Sequence, residues 1–282
     1  MNTVQLDHQS VLSLLPDRPL CSHKGDYGRL LLLCGSRGYT GAAALAAMGA
    51  LRSGAGLVYL GVPESIYGIE AIKLTEPVVF PLPDKDGKLA YDAVSQISAL
   101  LPRMDAVLIG PGLGQSEGTD AVLVFVLENA HCPVVVDADG INLLKAHKDI
   151  VRGRAYPTVL TPHQGEFERL AGSVSPDKVI AAKCIADDLK CIMLLKGHET
   201  IITDGCLTYI NRTGNPGMAV GGSGDVLAGI IVSLIGQGIP PLEAAACGAW
   251  LHGAAGDICA KEIGQYGMLP CDMLNILPRL MK

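Results

Sequence analysis

The chain has 282 residues, a formal net charge of −6 and nine cysteines. This acidic balance, with no cluster of five or more basic residues, argues against nucleic acid or an anionic membrane as a partner. The cysteines offer neither a zinc-binding spacing nor a disulfide framework, so we expect reduced thiols in a cytoplasmic protein. The first 20 residues lack the apolar segment of a signal peptide, so we expect no such leader.

Short apolar runs alternate with Ala-rich helical segments along the chain. This alternation predicts βαβ units and an α/β fold, in which a mostly parallel central sheet is flanked by helices on both faces. The predicted strands cover residues 30–34, 57–62, 78–81, 106–109, 134–137, 159–161 and 191–195. The predicted helices cover residues 41–53, 92–100, 117–129, 175–190, 224–236 and 242–261, with a short one after residue 270.

Three local signals refine this picture. Ser175-Pro176 predicts the start of a helix, as a cap followed by proline at the first helical position. Asp204-Gly205 predicts a hairpin turn between strands at 199–203 and 207–211. The uncharged apolar stretch 226–242 contains glycines and two prolines, which indicates a buried helix plus a turn because a membrane span needs about 20 apolar residues.

Five predicted strands run directly into polar or glycine-rich segments. These segments begin at Cys34, Gly110, Asp137, Thr161 and Lys196. Ligands of parallel sheets bind outside the carboxyl ends of the strands. If the sheet is parallel, the five segments meet along one edge, and we expect a catalytic rim there.

The strongest single signal is Gly221-Gly222-Ser223-Gly224-Asp225, which leads into an apolar helix. Glycines let backbone N–H groups surround an anion, and the helix adds its positive N-terminal end, so the segment is typical of a phosphate site. Asp225 falls in the first helical turn, where its carboxylate can take a proton from an attacking hydroxyl. The alternative is that Asp225 is a helix cap.

Other common nucleotide and catalytic motifs are missing from the sequence. It contains no Walker-type phosphate loop and no Gly-x-Gly-x-x-Gly dinucleotide fingerprint. A Gly-x-Ser-x-Gly nucleophile elbow and a His-Glu-x-x-His zinc helix are also missing. These absences leave the glycine-rich segment at 221–225 as the candidate phosphate site.

Seven segments together resemble the ADP/ATP-dependent NAD(P)H-hydrate dehydratases, a family with the ribokinase-like fold. The resemblance runs from about residue 25 to the C-terminus and implies one such domain over 1–282, with 1–24 as an N-terminal extension and without the epimerase domain of some members. The segments are Gly35-Ser36-Arg37-Gly38-Tyr39-Thr40-Gly41-Ala42, Arg52-Ser53-Gly54-Ala55-Gly56-Leu57-Val58, Gly110-Pro111-Gly112-Leu113-Gly114, Asp137-Ala138-Asp139-Gly140, Leu160-Thr161-Pro162-His163, Lys196-Gly197-His198 and Gly221-Gly222-Ser223-Gly224-Asp225.

The resemblance implies a repair reaction. NADH or NADPH adds water across a ring double bond, and the enzyme transfers a phosphoryl group from ADP or ATP to the hydroxyl of the S-form of this hydrate. Phosphate then leaves, helped by the lone pair of the ring nitrogen, so that ADP yields AMP and phosphate. The segment 196–200 resembles the ADP-using bacterial branch, and Mg²⁺ is the expected cofactor.

The resemblance also implies residue roles. It makes Asp225 the proton acceptor. Contacts to the hydrate are implied for Ala42, Gly112, Gly114, His163 and Asp225. Contacts to the nucleotide are implied for Lys196, Gly197, His198, Glu199, Thr200, Asn215, Gly221, Gly222, Ser223 and Gly224.

Structural alternatives remain open for several of these residues. Lys196 can be a solvated cation at a strand end, and His163 can have a purely structural role. Tight packing alone can account for Ala42, Gly112 and Gly114. Asp137, Asp139 and Glu166 could bind Mg²⁺ through water, or the two aspartates could only cap a helix.

Two other functions share the glycine-rich segment. One is a ribokinase-like kinase of a vitamin precursor or sugar, which the segments at 35–42 and 160–163 disfavour. The other is a non-catalytic nucleotide-binding regulator, for which loss of Asp225 would be expected. The family resemblance further suggests a homo-oligomer such as a tetramer, and a hydrate epimerase as functional partner.

Overall fold

The computed structural model describes residues 3–172 and 175–282. Its strands are short. In the main sheet they have three to seven residues each, apart from the first strand with two, because the apolar runs that form them are short. They are β1 Thr3–Val4, β2 Arg29–Leu33, β3 Leu57–Pro63, β4 Val78–Leu82, β5 Asp84–Lys85, β6 Lys88–Leu89, β7 Ala106–Ile109, β8 Val134–Val136, β9 Thr158–Leu160, β10 Ile192–Leu195, β11 Thr200–Thr203 and β12 Thr208–Asn211.

Ten of these strands form one sheet in the part of the chain that is described, in the order β1-β12-β11-β10-β9-β8-β7-β2-β3-β4. All neighbours are parallel except that β11 runs antiparallel to both β10 and β12. The predicted parallel sheet and the predicted hairpin are therefore confirmed. Thr3 and Val4 add a strand beside Thr208 and Tyr209, which the sequence did not predict.

Helices cover both faces of the sheet, as the sequence predicts. The helices are α1 His8–Leu14, α2 Thr40–Arg52, α3 Glu64–Lys73, α4 Ala93–Leu100, α5 Glu117–Asn129, α6 Asp139–Leu144, α7 Lys148–Gly153, α8 Gln164–Ala171, α9 Lys178–Leu189, α10 Ser223–Gly236, α11 Pro241–Glu262 and α12 Pro270–Leu280. Along β2, Leu30 and Leu32 pack on one face with α2, α10, α11 and α12, while Leu31 and Leu33 pack on the other with α4 to α9.

The predicted start of one helix is wrong. Helix α9 begins at Lys178, and its cap is Asp177, whose carboxylate accepts hydrogen bonds from the N–H groups of Val179 and Ile180. Ser175 instead accepts a hydrogen bond from the Asp177 N–H. A carboxylate next to the helix offers a stronger acceptor to the free N–H groups than Ser175 does from further upstream.

Helix α10 is enclosed on all sides, which explains its uniformly apolar sequence. Every residue from position 226 to 235 is buried between the sheet and helices α2 and α11. The approach of α2 is close at Gly229, where an added Cβ would overlap the Ala46 carbonyl oxygen. Because α10 carries the glycine-rich segment at its N-terminus, this packing holds that segment in place.

Two global properties follow from the described residues. None of their helices combines the length and the apolar character that crossing a membrane requires. All nine cysteines are free thiols, and five of them are buried.

Replacing Gly229 tests the α2–α10 contact. We expect Gly229→Ala to lower the free energy of unfolding by about 1–3 kcal/mol, the usual cost of overpacking a core, because the obstacle is backbone. Chemical denaturation measures this value. The control is Gly68→Ala in α3, where nothing lies within 4 Å of the added Cβ. That exposed helical position should gain stability from alanine, and equal stability of the two variants would contradict the proposed contact.

Candidate functional site

A cavity of about 750 Å³ opens at the carboxyl edge of the sheet. This volume lies within the range of ligand pockets. Residues after three neighbouring strands, β8, β9 and β10, form one wall, and the segment from position 213 to 225 forms the other together with α11. The lining includes Asp137, Ala138, His163, Glu166, Lys196, Gly197, His198, Thr200, Asn211, Thr213, Gly214, Asn215, Pro216, Met218, Ala219, Val220, Ser223, Gly224, Asp225, Leu227, Ala249, His252 and Gly253.

The five polar segments after the strands do meet at one edge, as predicted. Hydrogen bonds join each segment to the next around the rim. These bonds run from Gly35 N to Pro111 O at 2.8 Å, from Gly114 N to Asp139 Oδ2 at 2.9 Å, from Thr161 Oγ1 to Asp137 Oδ1 at 2.8 Å, and from Lys196 N to Pro162 O at 2.9 Å.

The first turn of α10 leaves backbone donors free beside the cavity. Its N-cap is Gly222, with φ at 96°, a conformation that glycine adopts without strain. The N–H of Ser223 donates to Val220 O, whereas those of Gly224 and Asp225 find no protein acceptor in residues 3–172 and 175–282. These two N–H groups and the positive end of the helix suit an anion.

Asp225 lines this cavity and is not a helix cap. Gly222 occupies the cap position, and the Asp225 carboxylate accepts no hydrogen bond from the residues that the structure describes. Burial and, to a smaller extent, the neighbouring Asp137 carboxylate together raise the pKa of Asp225 to about 6, against the lowering effect of Lys196. A carboxylate with such a pKa can exchange a proton near neutral pH.

Lys196 is held in a largely buried ion pair. Its Nζ lies 2.8 Å from Asp137 Oδ1, which also accepts the hydroxyl hydrogen bond of Thr161. Burial alone would lower the pKa of Lys196, but Asp137 and then more distant acids raise it above its usual value, so the ammonium is charged. The alternative of a solvated cation at a strand end is therefore wrong.

The Lys196 ammonium and the α10 N-terminus converge on one point. A Cβ added at Gly224 would lie 3.3 Å from Lys196 Nζ and 4.0 Å from Asp137 Oδ2. The bare Cα of Gly224 thus leaves room for a group between the free N–H donors and the ammonium. This combination of one fixed cation and helix N–H groups favours a phosphate.

His163 combines a structural contact with exposure to the cavity. Its Nδ1 caps helix α8 by accepting from Gly165 N at 3.0 Å and Glu166 N at 3.4 Å, while Glu166 Oε2 accepts from His163 N. The side chain is nevertheless 56% exposed, and its Nε2 lies 3.4 Å from Glu166 Oε1. Nδ1 therefore holds the loop, while the side chain as a whole remains exposed at the cavity.

The three carboxylates considered for Mg²⁺ already have protein partners. Asp137 pairs with Lys196, Asp139 accepts from Gly114 N and Gln115 Nε2, and Glu166 accepts from His163 N. In the described part of the chain, no group of three or more His, Cys, Asp or Glu side chains could hold a metal ion. These residues therefore do not fit a preformed Mg²⁺ site.

Some residues singled out from the sequence lie outside the cavity lining. Ala42 and Gly112 lie against each other, since a Cβ at 112 would come 2.7 Å from that of Ala42. Glu199 points to Arg212, with 2.9 Å between Oε1 and Nε. Gly114, Gly221 and Gly222 also lie outside the lining.

Sequence reasoning missed two polar residues of α11. His252 is buried in the cavity wall, with its Nε2 3.3 Å from Ser223 Oγ. Burial, and to a smaller extent the charge of Lys196, lower the pKa of His252 to about 4. Asp257 accepts hydrogen bonds from Gly214 and Asn215. The available signal was that both interrupt an otherwise Ala- and Gly-rich helix.

Comparisons with known proteins agree with this architecture. The bifunctional NAD(P)H-hydrate repair enzyme of Moorella thermoacetica is 45% identical over 277 residues, which cover 96% of this chain and 52% of that protein. This chain thus spans about half the length of the curated relatives it matches.

Solved structures match over nearly their whole length. A ribokinase-like superfamily protein of Enterococcus faecalis has a TM-score of 0.88 at 29% identity, covering 99% of this chain and 95% of that one. The ADP/ATP-dependent NAD(P)H-hydrate dehydratase of Bacillus subtilis, co-crystallised with ATP and Mg²⁺, has a TM-score of 0.83 at 32% identity, covering 97% and 96%.

The family assignment follows from the breadth of these matches. The NAD(P)H-hydrate dehydratase family model matches residues 30–279, which include every strand of the sheet after β2 and the whole cavity. The fold is ribokinase-like. This chain belongs to the NAD(P)H-hydrate dehydratase family.

Proposed function

We propose that this chain repairs damaged nicotinamide nucleotides by dehydrating the S-form of NADH hydrate or NADPH hydrate at the expense of ADP or ATP. The observation that carries this proposal is the position of Asp225, a carboxylate with a pKa raised to about 6, beside two free helix N–H groups and the Lys196 ammonium. A proton acceptor and a phosphate site thus adjoin one another. Family membership supplies the substrate class.

In the proposed reaction, Asp225 accepts the proton of the hydrate hydroxyl while the hydroxyl oxygen attacks the terminal phosphorus of the nucleotide. The bond from that phosphorus to the bridging oxygen breaks, and ADP leaves as AMP. The N–H groups of Gly224 and Asp225 and the Lys196 ammonium stabilise the charge on the migrating phosphoryl group. The ring nitrogen lone pair then expels phosphate, and loss of a ring proton restores NAD(P)H.

We propose a nucleotide side and a hydrate side of the site, which adjoin where the backbones of His163 and Lys196 pair. The nucleotide side comprises the lysine segment after β10 and the glycine-rich loop; within it we propose contacts from Lys196, Gly197, His198, Glu199, Thr200, Asn215, Gly221, Gly222, Ser223 and Gly224. The hydrate side comprises Ala42, Gly112, Gly114 and His163.

ADP is the nucleotide that we propose. The segment from Lys196 to Thr200 resembles that of the ADP-using bacterial branch. Mg²⁺ is proposed to accompany the nucleotide phosphates, by analogy with the Bacillus subtilis protein co-crystallised with ATP and Mg²⁺. Since Asp137 and Asp139 are engaged by protein donors, we assign no protein ligand to this ion.

The proposal extends to cellular context. We infer a cytoplasmic protein that forms a homo-oligomer, with a tetramer as the specific expectation. Because a dehydratase selective for the S-form leaves the other epimer unrepaired, we propose a hydrate epimerase as its functional partner. The bifunctional character of relatives about twice as long supports such a pairing.

The direct test is an optical assay of purified protein with NADH hydrate and ADP. We expect absorbance at 340 nm to return only when nucleotide is present, with AMP and phosphate formed in equal amounts. A kinase of another small molecule would leave the hydrate unchanged. A non-catalytic regulator would bind ADP without turnover, and either result would contradict the proposal.

Replacing Asp225 tests the proton acceptor. Asp225→Asn keeps the size of the side chain but removes its basicity, so we expect turnover to fall by about 10²-fold or more. The melting temperature should be no lower than that of the wild type, because the substitution removes a buried charge. Near-normal turnover in this variant would remove Asp225 from the mechanism.

The wild-type pH profile provides an independent readout of the same carboxylate. Asp225 acts in its ionised form, and its pKa is raised from 3.8 to about 6. Turnover should therefore be maximal above pH 6 and fall as the pH drops through this value. A profile that stays flat down to pH 4.5 would indicate an ordinary carboxylate or a different base.

Replacing Gly224 tests the phosphate position. The first carbon of the valine in Gly224→Val would lie 3.3 Å from Lys196 Nζ, in the space assigned to the phosphate. We expect calorimetry to show weakened ADP binding, with a smaller loss of hydrate binding. Gly153→Val at the end of α7, where nothing lies within 4 Å, is the control and should bind both ligands normally. Equal losses of both ligands in Gly224→Val would point to misfolding instead.

Replacing His163 separates its two contacts. We expect His163→Ala to raise the Michaelis constant for the hydrate from a few-fold to about a hundredfold, since a lost hydrogen bond is worth about 0.5–1.5 kcal/mol, or up to about 3 if charged. ADP binding should stay near normal. Asp177→Ala removes the cap of α9 and controls for cap loss, so both variants should melt earlier. A lowered melting temperature with an unchanged Michaelis constant would leave His163 a cap only.

A further inference from the structure

The chain segment that follows β12 packs against one face of α11. Asn211 Nδ2 donates to Ala249 O at 3.1 Å, and Thr213 Oγ1 donates to Trp250 O at 3.1 Å. Thr213 also borders the cavity, as do the residues that follow it up to position 216. Contacts with α11 therefore determine where this wall of the cavity lies.

Two glycines of α11 allow the close approach. A Cβ at Gly253 would lie 2.6 Å from the Thr213 carbonyl carbon and oxygen, so any side chain there would displace backbone. One turn later, a Cβ at Gly256 would overlap the side chain of Met218. The segment can rest on the helix only because both positions lack side chains.

Asp257 fixes the segment at its turn into the cavity. Its Oδ2 accepts from Gly214 N at 2.9 Å, and its Oδ1 accepts from Asn215 Nδ2 at 3.0 Å. Asn215 Oδ1 in turn accepts from Gly217 N at 3.0 Å. Both ends of the Asn215 amide thus have protein partners, so the amide holds the loop and orients the backbone around it.

We propose that Asp257 is a positioning residue for nucleotide binding. Its carboxylate, through Gly214 and Asn215, holds the segment 213–216 of the cavity wall in the position that the adenine nucleotide requires. This inference rests on the proposed nucleotide site. Asp257 itself does not line the cavity, so it acts through the loop. Two oxygens of one carboxylate serve a backbone donor and a side-chain donor at once, which an amide of the same size cannot do.

The test is Asp257→Asn, whose NH₂ group would face one of the two donors. We expect the Michaelis constant and the dissociation constant for ADP to rise at least about tenfold. Turnover at saturating ADP and the Michaelis constant for the hydrate should stay within about twofold. The matched control is Asp272→Asn, which removes a carboxylate that holds Leu269 N at 2.7 Å on the neighbouring helix α12. It should bind ADP normally.

A purely structural role would give a different pattern. In that case Asp257→Asn would melt earlier and lose active molecules, while the Michaelis constant for ADP stayed unchanged, and this result would overturn the inference. If the variant does not fold, Asp257→Glu replaces it, since it keeps both acceptor oxygens but moves them by about one methylene relative to Gly214 N and Asn215 Nδ2. Calorimetry should then show the same loss of ADP affinity, and normal affinity would overturn the inference.

The double variant makes the test specific. If Asp257 acts through Asn215, the effects on ADP affinity of Asp257→Asn and Asn215→Ala should be less than additive, whereas independent roles would make them add. Failure of the proposed function remains distinguishable: a wild-type protein that binds ADP but does not dehydrate the hydrate would refute the activity. Calorimetry on the variants would still decide the role of Asp257.

Discussion

The site depends on one buried ion pair, between Lys196 after β10 and Asp137 after β8. Removing two charges from water is costly, and this cost is offset only when geometry and further hydrogen bonds are good. Here Thr161, after the intervening strand β9, donates to the same carboxylate oxygen. Three adjacent parallel strands therefore have to end in register for the pair to form, which ties the chemistry of the rim to the topology of the sheet.

The pair also governs the two groups that are proposed to act on substrates. Lys196 is held at the N-terminus of α10, where its positive charge adds to that of the helix. Asp137 opposes ionisation of Asp225, which raises the affinity of that carboxylate for a proton. Because the pKa of Asp225 is raised in the folded state, its ionisation between pH 3.8 and about 6 opposes folding, so stability is lost as the pH rises through this window. The folded protein thus holds the Asp225 carboxylate where its negative charge is unfavourable, at the position where the proposed reaction needs a base.

The sequence predicted the parallel sheet, the hairpin, the rim and the glycine-rich turn, because each depends on local apolar runs or on glycine. It predicted α10 within one residue, since a long apolar helix has few alternatives. It did not predict the Lys196–Asp137 pair, because two residues 59 positions apart meet only through strand order. The roles of His252 and Asp257 were missed for the same reason. The capping contact of His163 was missed as well, since it depends on how the backbone turns into α8 after the strand.

The ionisation of Asp225 in the free protein is the most direct test of this account. Carbon-13 NMR of aspartate carboxyl groups, with the Asp225→Asn spectrum subtracted to assign the signal, follows that single side chain through a pH titration. We expect a midpoint near pH 6, set by burial and by Asp137. A midpoint near 3.8, the ordinary value of an aspartate, would show that the ion pair and the burial do not act on Asp225 and would contradict the account.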